Sequence, residues 1–537
     1  MKNTILTMMF NYKNIDKNLL IIIPSIITLF IGLIPTLQYG WPLSWDIIHH
    51  IHIAEVYAQY GFTLTDPLIG LQNGPQKIGY VPLFHLLIAA IGYITKINYF
   101  LLARCLQPLI ASGIVLSVSY VGYKFYGLTA GVSAGFLILT SNLVNRIILP
   151  IPENIALIIF PIAVYLFYIS LKRDTYKYAL ISGILSIFMI LIHQSAAFLL
   201  FLTITSFIIV RSILNRNISV FKKYIAWILP PVCAAAVTLI FVLVLDPHII
   251  HSILQNGIGS VTGYKDSISY SYNQPLDLIH YMWQLGIIAL LFAVIGAAAS
   301  YKLDLPQIKD KAVLLIVWIA AMFIISKINW FGINMVSYRV LIYILLPLSI
   351  LGGFGLYQTY EWVKQKKISK LSIGHLLLGV IFLIAVINGV LIASNPKIAT
   401  FGAQTEFGII STAPPSASEI DLANWFNQNG DKNKRVAISN YYSGMFLVAD
   451  TMQPLSRDNR ALTGKIKPSA MIKENIGYLV YDKRLKFSSS NKTYQAEPGG
   501  LLYFSKDIHQ IIPKYAKIVY ENRDFIVCKV QTVNLKT

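Results

Sequence analysis

Residues 44–55 form the run SWDIIHHIHIAE, which directly follows a long apolar segment. If the run is helical, a rotation of about 100° per residue places five residues on one face: Asp46, His49, His50, Ile53 and Tyr57. His52 and Glu55 fall outside this face and are predicted to contact solvent or to pack. A carboxylate and two imidazoles at this spacing can orient a general base, form part of a metal site, or simply face water.

The composition indicates that this run lies beside a membrane. Of the 537 residues, 55% are hydrophobic and 13% are charged, whereas soluble domains have about 25% charged residues. The formal charge of +20 is explained by lysines and arginines in the cytoplasmic loops of a polytopic membrane protein. The basic residues form no soluble patch with aromatic or motif support, so nucleic acid is not a predicted partner.

Apolar runs of spanning length recur through residues 1–393, each near the roughly 20 residues that a bilayer core requires. We predict eleven spanning helices, at 19–38, 104–122, 127–145, 154–171, 178–192, 194–210, 224–245, 279–300, 311–326, 334–357 and 373–393. A twelfth apolar run at 80–97 is short, opens on a proline and contains His85.

The basic clusters predict the orientation of these helices. If every cluster is cytoplasmic, neighbouring clusters must be separated by an even number of spans. Three candidate spans separate Lys17 from Lys124, so the weakest of them, 80–97, is predicted to be an interfacial or re-entrant juxtamembrane helix. The N-terminus is then cytoplasmic, and the loops at 39–103 and 246–278 are external.

Residues 394–537 differ from the rest of the chain because they are polar and rich in turns. SASE at 416–419 fits a capping box at a helix start. The runs RVAIS, IGYLVYD and AKIVYE…FIVCKV are typical of strands, and the last pair predicts a hairpin at 522–524. We therefore predict two domains: a transmembrane domain at 1–393 and a small extracytoplasmic α/β domain at 394–537.

Further polar residues lie on the predicted external face. Glu153 opens a helix, where the dipole stabilises a carboxylate, but acids at a membrane edge are otherwise costly; Arg146 is a candidate partner. His193 lies at a joint between two apolar helices and is either a site residue or a hydrogen-bonded turn residue. Arg339 enters an apolar helix from outside, either as a phosphate clamp or by snorkelling, and Lys327 lies at the same edge.

This set of features resembles the GT-C superfamily of integral-membrane glycosyltransferases. That superfamily includes protein O-mannosyltransferases, aminoarabinose lipid A transferases and oligosaccharyltransferase catalytic subunits. WDIIHHIHIAEVYAQYG is similar to the family's first-loop pattern, PENIA to its second acidic motif, and YRVLIYILLP to the segment whose arginine holds the donor phosphate. The segment 80–97 resembles the juxtamembrane helix. The C-terminal domain lacks a WWDYG motif, and the second acidic motif has one acid rather than two.

The resemblance implies an enzyme of the cell membrane that moves a sugar from a polyprenyl-phosphate donor to an extracytoplasmic protein, lipid or glycan. It implies that Asp46 is the main catalytic or metal-binding acid and that Glu153 is its partner. Arg339, with Lys327, would hold the donor phosphate. A lipid-linked donor requires no nucleotide site, and the chain contains no Walker loop or nucleotide fingerprint.

Three histidines complete the predicted site as supporting residues: His49, His50 and His193. A divalent metal, Mg²⁺ or Mn²⁺, is left open, with Asp46, His49 and Glu153 as candidate ligands. The alternative function is a lipid or glycan flippase without catalysis of its own. The polar residues of a flippase would line a path through the membrane, whereas these residues gather at one edge, which favours an enzyme.

Overall fold

The computed structural model describes residues 17–71, 74–173, 175–245, 276–303, 305–331, 337–368, 371–395, 415–489, 491–497 and 500–531. Most of the predicted external loop at 246–278 lies outside the described residues. The same is true of the stretch that joins the last apolar helix to the C-terminal domain.

Helices make up most of the described residues in the N-terminal three quarters of the chain. After a 3-10 turn at Lys17–Ile22, its helices are α1 (Ile23–Gln38), α2 (Trp45–Tyr60), α3 (Leu83–Thr95), α4 (Tyr99–Tyr126), α5 (Leu128–Leu139), α6 (Val144–Ile147), α7 (Pro152–Lys172), α8 (Lys177–Ile192), α9 (Gln194–Asn215), α10 (Val220–Leu245), α11 (Leu278–Leu285), α12 (Ile287–Lys302), α13 (Pro306–Ser326), α14 (Ser337–Val363) and α15 (Ile373–Ser394). A second 3-10 turn, Ile328–Phe331, follows α13.

Seven helical segments among the described residues are long and apolar enough to cross a membrane, by length and composition: α1 together with the 3-10 turn before it, α4, α7, α9, α10, α14 and α15. The pair α11 and α12 would form an eighth span if the two count as one. These helices confirm a polytopic membrane protein, while the count of eleven spans stays a prediction. Helix α3 has 13 residues, about 20 Å at 1.5 Å per residue, which is shorter than a bilayer core of about 30 Å.

Two of the predicted spans, 127–145 and 279–300, are each interrupted, and the two interruptions contact each other. The run 127–145 breaks after α5, and the run 279–300 bends by 94° between α11 and α12. The bend falls at Gly286, whose φ of 84° is unfavourable for other residues. Asn142 holds the two breaks together, because its backbone N–H donates to the Gln284 carbonyl at 3.1 Å and its side chain donates to the Trp283 carbonyl at 2.9 Å.

Helix α14 is the most deeply buried of the spans. Its segment LGGFG presents glycines to α5 and α12, and a Cβ at Gly353 or Gly355 would overlap the backbone of the neighbouring helix. Small residues allow membrane helices to approach closely, because packing rather than the hydrophobic effect joins helices in lipid. Helix α14 therefore fixes the position of Arg339 relative to the rest of the bundle.

Seven strands form a single sheet in the order β10-β11-β7-β5-β6-β1-β2. The strands of the chain are β1 (Thr65–Leu71), β2 (Gly74–Lys77), β3 (Lys367–Ile368), β4 (Leu371–Ser372), β5 (Arg435–Ile438), β6 (Leu455–Ser456), β7 (Ile476–Asp482), β8 (Tyr494–Glu497), β9 (Leu501–Phe504), β10 (Ala516–Glu521) and β11 (Phe525–Val530). Strands β7, β5, β6 and β1 are parallel neighbours, and β2, β11 and β10 extend the sheet in antiparallel fashion.

The sheet and its helices confirm a C-terminal α/β domain. Those helices are α16 (Ala417–Asn429), α17 (Tyr441–Thr451), α18 (Pro468–Lys473) and α19 (Ile508–Ile511). The capping box predicted at 416–419 is present at the start of α16, and β10 and β11 form the predicted hairpin. Strands β1 and β2 come from the first loop, however, so the sheet crosses the predicted domain boundary at 393/394.

Helix α2 is packed between the bundle and the C-terminal domain. Its isoleucines share one apolar core with residues of α17 such as Phe446 and Val448. His52 is fully buried, and its Nε2 lies 2.6 Å from Asp66 Oδ2 in β1. Glu55 has a buried carboxylate oxygen without a hydrogen-bond partner among the described residues. His52 and Glu55, which lie outside the predicted polar face, thus belong to the packed part of the helix.

The buried Glu55 predicts that stability depends on pH. Burial and the nearby charge of Asp450 in α17 raise the pKa of Glu55 from 4.5 to about 9. The folded state therefore favours the protonated acid, so this contribution to stability is fully present below pH 4.5 and is lost as the pH rises toward 9. We expect the melting temperature of the detergent-solubilised protein to fall over this range.

The variant Glu55→Gln should flatten that dependence and should melt higher than the natural protein at pH 8. The matched control is Asp421→Asn, which removes an exposed carboxylate from α16. Equal slopes for Glu55→Gln and the natural protein would show that Glu55 does not titrate at this interface.

Candidate active site

Asp46 lies in the first turn of α2, at the end of the bundle that faces the sheet. The N-cap residue Ser44 accepts a hydrogen bond from the Asp46 backbone N–H at 3.2 Å. Ser44 has φ 82°, a sparsely populated conformation for a residue other than glycine. The turn directs a carboxylate whose side chain is 25% exposed toward α14.

Arg339 lies in the first turn of α14 and faces Asp46. Its Nη2 atom is 3.9 Å from Asp46 Oδ2, and 46% of its side chain is exposed. The structure therefore brings together two residues that are nearly 300 positions apart in sequence. The pair is longer and more exposed than a buried salt bridge.

Glu153 forms the second acid–arginine pair of the site. It follows Pro152 in the first turn of α7, and the Arg146 guanidinium of the short helix α6 donates to its carboxylate. Each of the two side chains is only 5% exposed. Asn154 holds the intervening turn in place by donating to the carbonyls of Arg146 at 2.6 Å and Leu149 at 2.7 Å.

The two pairs are close enough for their charges to interact. Burial raises the pKa of Asp46 above its ordinary 3.8, the charges of Arg339 and Arg146 oppose that rise, and the charge of Glu153 adds to it. The charges of Arg339 and Glu153 therefore both act on Asp46, and the role of these three residues as a site stays a prediction.

His49 and His50 are in the same helix as Asp46; His50 is buried and His49 is partly buried. Burial and the neighbouring His52 lower the pKa of His49 to about 3, so its ring is neutral at physiological pH. The pKa of His50 is also well below 6.5, chiefly because of burial. His193 caps α9, where its Nδ1 accepts the Ala196 backbone N–H at 3.2 Å.

Lys327 is in a different environment from Arg339. Its ammonium donates to the Leu276 carbonyl and lies 5.0 Å and 5.5 Å from the ring centres of Tyr281 and Trp330. Among the described residues, none of these contacts joins it to Asp46 or Arg339. The structure accounts for Lys327 through its position at the end of α13, and its phosphate role stays a prediction.

The described residues show no preformed divalent-metal site, and a bound divalent metal stays a prediction. Within the described ranges, no three His, Cys, Asp or Glu side chains gather where they can hold one ion. Both predicted carboxylate ligands already face a guanidinium, Glu153 from Arg146 and Asp46 from Arg339. These cations balance the charge that would attract Mg²⁺ or Mn²⁺. The ligand set with His49 stays a prediction.

Two buried residues were missed by the sequence reasoning. His85 in α3 has its Nε2 2.9 Å from His50 Nδ1, and Asp66 in β1 pairs with His52. Neither contact has a helical spacing, since 35 and 14 residues separate the partners. The only available signal was that a histidine and an aspartate occur in the first loop near an apolar helix.

No protein-family model and no curated protein sequence matches this chain, but several solved structures do. The apo oligosaccharyltransferase of Archaeoglobus fulgidus matches with a TM-score of 0.61 at 14% identity, over 88% of this chain and 70% of that one. ArnT from Cupriavidus metallidurans, bound to undecaprenyl phosphate, matches with a TM-score of 0.62 at 11% identity, over 95% and 97%. The mycobacterial arabinofuranosyltransferase AftD matches with 0.57 at 13%, over 95% and 40%.

All three are GT-C glycosyltransferases. This chain has the GT-C fold. The resemblance seen in three short motifs is confirmed at the level of the fold, and at these identities the likeness shows the fold alone. The A. fulgidus GT-C enzyme has also been solved with an inhibitory peptide and a dolichol-phosphate, and with zinc and sulfate.

The buried pair predicts an asymmetric response to mutation within this GT-C fold. Arg146→Met leaves the Glu153 carboxylate buried without its cation, which should destabilise the protein by about 3–5 kcal/mol. The double variant Arg146→Met/Glu153→Leu removes both charges and should recover most of that loss. Thermal unfolding in detergent measures both effects. The control is Arg216→Met, which removes an exposed cation that follows the C-terminal end of α9. A double variant no more stable than Arg146→Met would contradict the ion-pair assignment.

Proposed function

We propose that this protein transfers a glycosyl group from a polyprenyl-phosphate donor to an acceptor on the external side of the cell membrane. The observation that carries the proposal is the gathering of Asp46, Glu153 and Arg339 at one end of an apolar bundle with a GT-C fold. Each acid has a cationic partner there, and one of the two cations is half open. A site at the membrane edge suits a donor whose lipid tail stays in the bilayer.

Arg339 is the residue best placed to bind the donor phosphate. Its guanidinium is planar and has several N–H donors, which match the oxygens of a phosphate in pairs. Arg146 is not available in the same way, because it is buried and donates to Glu153. As the bond between the anomeric carbon and the phosphate oxygen breaks, negative charge develops on the phosphate, and Arg339 stabilises it.

Asp46 is the proposed general base. The acceptor hydroxyl or amide attacks the anomeric carbon with its electron pair, the phosphate leaves with the electrons of the broken bond, and the proton of the acceptor passes to the Asp46 carboxylate. Burial raises the pKa of Asp46, which makes its ionised form a stronger base. A donor phosphate that attracts Arg339 would relieve the opposing effect of that cation and raise the basicity further.

Substitution of either acid should abolish catalysis; Asp46→Asn should do so without a loss of folding, whereas Glu153→Gln also leaves the buried Arg146 guanidinium without its anion. Asp46→Asn removes the base and Glu153→Gln removes its charged neighbour, so each should lower sugar transfer at least a hundredfold. Incubation of membranes with radiolabelled polyprenyl-phosphate sugars shows which component gains label, and Asp421→Asn serves as the exposed control. Unchanged transfer in Asp46→Asn would sink the assignment, and label that crosses the membrane without covalent transfer would support a flippase.

The open arginine predicts a shift in pH dependence. Asp46 must be ionised to act, so activity is lost as the pH falls through its pKa. Because Arg339 lowers that pKa, Arg339→Gln should move the acidic limb of the pH–rate profile to higher pH and raise the KM for the donor. Arg339→Lys should recover part of both effects. An acidic limb that stays in place in Arg339→Gln would show that Arg339 does not lower the pKa of Asp46.

A further inference from the structure

A chain of three hydrogen-bonding groups ends next to Asp46. The Val81 carbonyl lies 3.1 Å from His85 Nδ1, and His85 Nε2 lies 2.9 Å from His50 Nδ1. Both rings are buried, with 1% of His85 and 5% of His50 exposed. His50 is one helical turn after Asp46 in α2, and residues four apart in a helix share a face.

The direction of each hydrogen bond follows from the first group. A carbonyl oxygen can only accept, so His85 Nδ1 must carry a hydrogen. Burial lowers the pKa of His85 to about 4, so the ring is neutral at physiological pH and its Nε2 has a lone pair. His85 Nε2 therefore accepts, and His50 Nδ1 donates to it. Because the His50 ring is only 5% exposed, its charged form is disfavoured, and with the hydrogen on Nδ1 its own Nε2 has none.

A second imidazole is set to the opposite tautomer. His193 Nδ1 accepts the Ala196 backbone N–H, so the hydrogen of the neutral ring is on Nε2. His193 and Arg339 are both among the groups whose charges lower the pKa of His50. One imidazole is thus fixed as an acceptor by a backbone carbonyl through His85, and the other is fixed as a donor by the Ala196 backbone N–H.

We infer that His50 Nε2 accepts a hydrogen bond from the acceptor substrate beside Asp46, and that His85 is the positioning residue that imposes this polarity. This inference rests on the proposed function and adds a requirement to it: the group presented to His50 bears an O–H or N–H. The His50 Nε2 atom makes no hydrogen bond with any residue that the structure describes, and it is thus available for the substrate.

Nuclear magnetic resonance tests the tautomer directly, without any transfer reaction. Protein labelled with ¹⁵N-histidine shows which ring nitrogens bear hydrogen, and the spectrum of His50→Gln assigns the His50 signals. We expect hydrogen on Nδ1 and none on Nε2 at pH 7. A His50 ring with hydrogen on Nε2 would overturn the inference, whether or not the protein transfers sugar.

Two substitutions at position 85 separate hydrogen bonding from packing. His85→Gln keeps an acceptor near the Nε2 position, whereas His85→Leu fills a similar space without one. In His85→Leu we expect His50 to lose its fixed Nδ1–H tautomer and kcat to fall roughly ten- to a hundredfold, with little change in the KM for the lipid donor. His85→Gln should recover part of both.

The control is His375→Leu, which removes an exposed histidine of α15 that contacts Tyr360. It should leave the His50 signals and the transfer rate as they are. Equal losses of kcat in His85→Gln and His85→Leu, with the tautomer intact in both, would reduce His85 to a packing residue. Absence of transfer by the natural protein would instead refute the proposed function and leave the tautomer result standing.

Discussion

The candidate site depends on the cost of placing carboxylates at the end of an apolar bundle. Glu153 is almost completely buried and Asp46 is mostly enclosed, so each can stay ionised only with a cation beside it. This requirement couples distant parts of the chain. Arg146 must be held by a short helix before α7, and Arg339 must be carried to α2 by the glycine-lined helix α14.

The two acid–arginine pairs differ in a way that suits two roles. Arg146 and Glu153 are closed off from solvent, so their contact leaves no room for a substrate group. The pair instead fixes the geometry and the charge of the residues around it. Arg339 and Asp46 are farther apart and partly exposed, so a phosphate can compete for the guanidinium without the cost of breaking a buried bond. The Arg146–Glu153 pair is thus a fixed contact, whereas in the Arg339–Asp46 pair the guanidinium can exchange its carboxylate partner for another anion.

The sequence was informative wherever a signal is local. Apolar run length indicated the membrane helices, a four-residue motif indicated the cap of α16, and alternation with a turn indicated the hairpin of β10 and β11. Helical spacing also placed Asp46, His49 and His50 together. The contacts of His85 and Asp66 depend on how the first loop folds back, and no periodicity encodes them. Lys327 was predicted for the site from its level at the membrane edge, and its phosphate role stays a prediction.

The shared sheet changes how the C-terminal domain relates to the chemistry. Strand β1 pairs with β6, the Arg457 backbone N–H donates to the Gly70 carbonyl at 2.9 Å, and the Trp45 ring lies 4.8 Å from that of Tyr442. The first loop is therefore part of that domain as well as part of the bundle. Any movement of the domain must act on the residue next to Asp46, because Trp45 packs against it. A domain joined in this way would hold an acceptor in a fixed position relative to Asp46, the proposed base.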